Sequence, residues 1–209
     1  MPLSSRLGLP ALFVMLAWGI CVPAHSAGDA ARGKELSYTC LGCHGIADYK
    51  NVYPTYSVPE LAGQHPEYLV AALREYKGGE RSHATMHQQA ASLSDQDMQD
   101  IAAYFGGEVL KADAAPVGTA PAKVALCGSC HGKNGVGITG DYPTLAGQHA
   151  DYIARALHEY GHGDRKNAIM PNFVTGLTEQ DISEIAEYFS KQSPPLHTVK
   201  RRETFLSTN

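Results

Sequence analysis

The sequence predicts an all-α protein built from two copies of one small helical domain. Three observations carry that reading. Residues 61–105 and 145–189 align at an offset of 84 without a gap, and 21 of the 45 positions are identical. A Cys-x-x-Cys-His pentapeptide stands before each repeat, at 40–44 and 127–131. Apolar residues recur with helical spacing in both copies, and no stretch alternates apolar and polar with comparable strength.

The elements follow in order. Residues 1–26 hold one basic residue, Arg6, then an apolar run from Leu7 to about Val22, then small residues. That is the pattern of a signal peptide, with cleavage expected between Ser26 and Ala27. The apolar run contains Pro10 and is shorter than a membrane-spanning helix requires. The first domain is expected over 27–107. Asp29 can cap a helix leading toward the cysteine pair. Pro66 suits a first helical turn. Tyr68, Leu69, Ala72, Leu73 and Tyr76 form one apolar face, which Gly78-Gly79 ends. Ser94 with Asp97 reads as a capping box for a last helix lined by Met98, Ile101, Ala102 and Phe105. Residues 108–120, rich in Gly, Ala and Pro, read as a linker. The second domain, 121–192, repeats the scheme with Tyr152, Ile153, Ala156, Leu157 and Tyr160. A Thr178 cap follows, with Asp181, Ile182, Ile185 and Phe189 behind it. Residues 193–209 are a tail.

Composition narrows the function. There are 17 Lys+Arg against 21 Asp+Glu, a net charge of −4. No basic stripe is present, so a nucleic-acid partner is not expected. Five cysteines are too few for a disulfide scaffold in 209 residues. Cys21 falls in the signal peptide, and the other four are the two motif pairs.

Cys-x-x-Cys-His is the attachment signature of c-type haem. Cysteines three apart share a face of one helical turn. Cys40 and Cys43 can each add a thiol to a haem vinyl group, and His44 then sits beneath the porphyrin with its imidazole toward iron. Cys127, Cys130 and His131 repeat the set. A thioredoxin-like pair would need a preceding strand, and a zinc site would need more ligands. The chain therefore predicts two covalently attached haem c groups.

The sixth iron ligands must come from elsewhere. After residue 26 the methionines are Met86, Met98 and Met170. Met98 lies on a helix face and reads as core. Met86 and Met170 are repeat partners, 42 and 39 residues after their histidines, and read as loop ligands. His83 and His87 flank Met86 and could ligate in its place; Asn167 and Pro171 flank Met170 and cannot. The Pro59 and Pro143 carbonyls could accept the N–H of the ligating histidines. Arg81, Arg165, Tyr68 and Tyr152 could hold haem propionates or serve as surface charge and helix packing. His65 and His149 read as capping or hydrogen-bonding residues, and His158, His162 and His197 as solvated surface.

Two such domains, each with Pro-x-Leu-Ala-Gly-Gln, a helix and a Met, resemble the two-haem cytochrome c4 family of bacterial periplasms. The resemblance implies two tandem class I cytochrome c domains, with axial pairs His44/Met86 and His131/Met170. It also implies periplasmic electron delivery from a quinol–cytochrome c reductase to a terminal oxidase. With both axial positions filled by protein, an electron carrier is expected rather than an enzyme. The other expectation is the haem subunit of a periplasmic dehydrogenase, such as a flavocytochrome oxidising sulfide. Partners are then redox proteins, with peripheral association at the membrane surface. Residues 27–114 carry a net −5 and residues 115–209 are neutral, so the first half should prefer a basic partner.

Overall fold

The computed structural model describes residues 27–53, 55–107 and 110–199. The expected signal peptide and the basic cluster at 200–202 lie outside them. The first copy holds α1 (Ala30–Leu36), α2 (Leu41–His44), α3 (Pro66–Gly78), α4 (Ala84–Ala91) and α5 (Asp95–Gly106). The second holds α6 (Val124–His131), α7 (Ala150–His162), α8 (Met170–Val174) and α9 (Glu179–Ser190). Among the described residues there are only isolated β-bridges, no strands, and no helix is long and apolar enough to cross a membrane.

The helix boundaries follow from local chemistry. Asp29 accepts from the Ala31 and Arg32 N–H groups at the start of α1. Pro66 opens α3, and Gly79 at φ 83° ends it in a conformation that favours glycine. Ser94/Asp97 and Thr178/Asp181 form complete capping boxes on α5 and α9.

In the first copy α1 crosses α5 at glycine contact. A Cβ on Gly33 would lie 1.8 Å from the Asp100 carbonyl oxygen, so only glycine allows the approach. Buried Asp100 ties the crossing together, accepting from the Asp29 N–H at 2.8 Å and from the Arg32 guanidinium. Leu69, Ile101, Ala102 and Phe105 form the core above it. The second core gathers Val124, Ile153, Leu157, Ile182, Ile185 and Phe189 from α6, α7 and α9.

The copies meet about an approximate two-fold. Gln64 Nε2 donates to the Thr144 carbonyl at 2.9 Å, and Thr144 N–H donates to Gln64 Oε1 at 2.8 Å. Gln148 makes the same pair with Glu60, both bonds at 3.0 Å. Farther along the seam, Ser82 N–H donates to the Asp164 carbonyl at 3.0 Å and Lys166 N–H to the Glu80 carbonyl at 2.8 Å. Arg81 and Arg165 face each other at the centre of this short ribbon. The tail also joins the copies: His197 pairs with Ala62, and Leu196 N–H donates to the Ala146 carbonyl at 2.8 Å.

Candidate metal centres

Each motif lies on one helical turn. His44 N–H donates to the Cys40 carbonyl at 2.8 Å, so Cys40, Cys43 and His44 are held in a single turn at α2. Cys127, Cys130 and His131 occupy the last turn of α6. All four thiols are free and partly buried, and burial pushes Cys40 and Cys127 up, keeping them protonated. No three His, Cys, Asp or Glu side chains gather as a metal site among the described residues. Among the described residues no strand precedes either motif helix. The zinc and thioredoxin-like alternatives therefore find no support in the surroundings.

The histidines are oriented as the repeated prolines suggest. His44 Nδ1 lies 2.9 Å from the Pro59 carbonyl oxygen, and His131 Nδ1 lies 2.9 Å from that of Pro143. A carbonyl only accepts, so Nδ1 carries the proton and Nε2 keeps its lone pair. Burial lowers both pKa values and favours the neutral ring. A neutral imidazole with a fixed ring and a free Nε2 is what iron requires.

The methionines correct one expectation. Met86 and Met170 are not in loops: Met86 lies in the first turn of α4 and Met170 is the first residue of α8. The reason is a pair of side-chain acceptors. His83 Nδ1 accepts the Met86 N–H at 3.2 Å, and Asn167 Oδ1 accepts the Met170 N–H at 2.9 Å. His83 and Asn167, repeat partners of different chemistry, thus do the same structural work. His83, with Nδ1 accepting, carries its proton on Nε2 and has no lone pair left for a metal. His87 lies exposed with its Nδ1 2.8 Å from the Tyr76 carbonyl oxygen.

Arg81 and Arg165 are buried, at 5% and 3% exposure, which removes the surface-charge reading. Arg81 pairs with Glu75 and donates to the Tyr68 hydroxyl at 3.3 Å. Arg165 donates to the Tyr152 hydroxyl at 3.1 Å, while its buried Nε has no partner. Tyr76 and Tyr160 lie against the guanidinium groups, and burial pushes the Tyr160 hydroxyl up to about 12. Two buried guanidiniums with an unpartnered donor suit carboxylate groups of a bound cofactor. The residues therefore fit haem on three counts: thiols, a neutral oriented imidazole and a cationic seat.

Sequence reasoning missed the cross-copy role of Gln64 and Gln148. Their repetition was visible; the partner was not. His65 and His149 stand at the N-caps of α3 and α7 and make polar side-chain contacts, as expected; the partners lie in the other copy, His65 Nε2 being 3.0 Å from the Gly137 carbonyl oxygen and His149 Nε2 3.4 Å from Glu60.

The cytochrome c family model matches residues 30–106 and 120–193. The chain is 36% identical to a cytochrome c4 from Pseudomonas aeruginosa over 192 residues, covering 84% of this chain and 94% of that one. The chain belongs to the cytochrome c family, in its two-haem c4 group. A solved structure of reduced recombinant cytochrome c4 from Pseudomonas stutzeri superposes with a TM-score of 0.62 at 32% identity. That match covers 79% of this chain and all of that one. A thiosulfate dehydrogenase electron acceptor from Stutzerimonas stutzeri is 32% identical over 171 residues, covering 72% of this chain and 77% of that one. As a two-domain cytochrome c, the protein is a dihaem electron carrier with haem c covalently attached.

Proposed function

We propose that this protein carries electrons in the periplasm from a quinol–cytochrome c reductase to a terminal oxidase. In this reading Cys40 and Cys43 anchor the first haem with His44 and Met86 as axial ligands; Cys127 and Cys130 anchor the second with His131 and Met170. Bound haem c supplies an iron that gains and loses one electron, and His/Met ligation raises its potential. Everything else is the work of the chain. Pro59 and Pro143 fix the imidazoles, His83 and Asn167 start the helices that bear the methionines, and Arg81, Arg165, Tyr68 and Tyr152 hold propionates at the seam. With haem held by these residues no position on iron would be left for a substrate, so transfer would be outer-sphere and the chain would control position, burial and charge. The observation that carries the reading is the matched geometry of His44 and His131 on their proline carbonyls.

A potentiometric titration followed in the visible and near-infrared tests it. Wild type should show two low-spin haems, each with a methionine–iron band; Met86→Ala should remove one band and Met170→Ala the other. Retention of both bands in Met86→Ala would exclude that ligand. The −5 of the first half supports docking on a basic partner, so its electron-transfer rate should fall as salt rises; a flat profile would count against it.

A second reading follows from the likeness to a thiosulfate dehydrogenase electron acceptor. Here the protein takes electrons from a periplasmic dehydrogenase, of the thiosulfate or flavocytochrome sulfide type. Stopped-flow reduction by purified dehydrogenase and by reductase decides between them: the faster donor at matched concentration identifies the role.

A further inference from the structure

The two copies differ at the residue after each histidine-holding proline. Glu60 follows Pro59, whereas Thr144 follows Pro143. The Glu60 side chain is only 12% exposed. Its Oε1 accepts from the Thr198 hydroxyl at 2.8 Å and lies 3.4 Å from His149 Nε2. Its Oε2 is buried without a partner. The Glu60 backbone is pinned by Gln148, and the carbonyl of the preceding residue, Pro59, holds His44 Nδ1 at 2.9 Å, so the charge is carried one residue from the anchor of the first motif's histidine. Thr144, 1% exposed, is neutral, and its hydroxyl accepts from the Gly137 N–H at 3.4 Å.

We infer that Glu60 sets the potential of the first haem, its carboxylate favouring the oxidised state there and not at the second, and that His149 of the other copy attenuates it across the seam. This rests on His44 as the first axial ligand. Oxidation adds one positive charge at the iron, and a fixed carboxylate beside the ligating histidine stabilises that charge in a medium less polarisable than water. The groups facing Glu60 are His149, His197 and Thr198; those facing His149 are Glu60, Asp151 and Asp48, and Asp151 is itself engaged by Ser57 and Lys50. Glu60 raises the His149 pKa above its ordinary 6.5. Protonated His149 offsets the carboxylate, so the first haem becomes easier to oxidise as pH rises through that raised value.

The test uses full-length holoprotein in a spectroelectrochemical titration, with the first wave assigned by its displacement in Met86→His. In Glu60→Gln, the oxidised-to-reduced ratio of the first haem at fixed potential should fall about threefold or more, with the second wave unmoved. In His149→Gln the ratio should rise, and the pH dependence of the first wave between about pH 6 and 8 should vanish. An unmoved first wave in Glu60→Gln, with both low-spin spectra intact, overturns the inference. If Glu60→Gln does not fold, a wild-type first wave independent of pH over the same range overturns it. Loss of the His/Met signature from the first haem of wild type would instead refute the ligand assignment on which the inference stands.

Discussion

Replacing Gln64 by alanine tests what holds the two copies together. The side chain makes three bonds: it accepts from Thr144 N–H at 2.8 Å and His65 N–H at 3.0 Å, and donates to the Thr144 carbonyl at 2.9 Å. Thr144 is 1% exposed and Gln64 4%, so water does not replace what is lost. A typical net value of about 1 kcal/mol for each bond gives about 3 kcal/mol. Gln148 makes the same three bonds to Glu60 and His149. Glu60 and His149 are only partly buried, so solvent compensates and Gln148→Ala should cost about half as much. Guanidinium unfolding of the oxidised holoprotein, followed by haem absorbance and far-ultraviolet circular dichroism, measures both. A Gln64→Ala loss below about 0.5 kcal/mol with native spectra, or a larger loss from Gln148→Ala, would refute the reasoning.

Other outcomes follow from single contacts. Gly33→Ala places a methyl against the Asp100 carbonyl and should destabilise by about 3 kcal/mol, read by the same unfolding curve; Gly28→Ala, which meets the Gln99 carbonyl before α1 begins, should cost less, and an equal or larger loss there would refute the ranking. Asp97 is held down to about 2 by its Ser94 side-chain and backbone bonds and by Arg32. Its contribution to stability is therefore full above the ordinary carboxylate value of 3.8 and is lost as pH falls toward about 2. Acid titration of Asp97→Asn should show a shallower fall over that interval than wild type; parallel curves would count against the capping box as the cause.

The parts of the fold legible in the sequence are those that neighbouring residues decide. Asp29, Ser94 and Thr178 cap the helices they were expected to cap, because a cap needs only an acceptor within three residues. Leu69, Ile101, Phe105, Ile153, Ile185 and Phe189 are buried as their helical spacing predicts. The helices that bear Met86 and Met170 are less legible, because they are short and His83 is not a common cap.

At the centres, the motif alone pointed to two covalently attached haem c groups, since its residues lie within a single turn. Even the proline carbonyls were legible, because each falls a short loop away. The sequence could not say which copy Gln64, Gln148, Arg81, Arg165 or His149 would touch. A duplicated chain offers every such residue two equivalent surroundings, and local chemistry does not distinguish them. Only the tertiary structure decided that the repeated LAGQ glutamines reach across the seam, that two arginines meet there under cover, and that Glu60 lies against the opposite copy. These contacts join residues 80 or more positions apart, where packing of the two copies, not spacing along the chain, selects the partner.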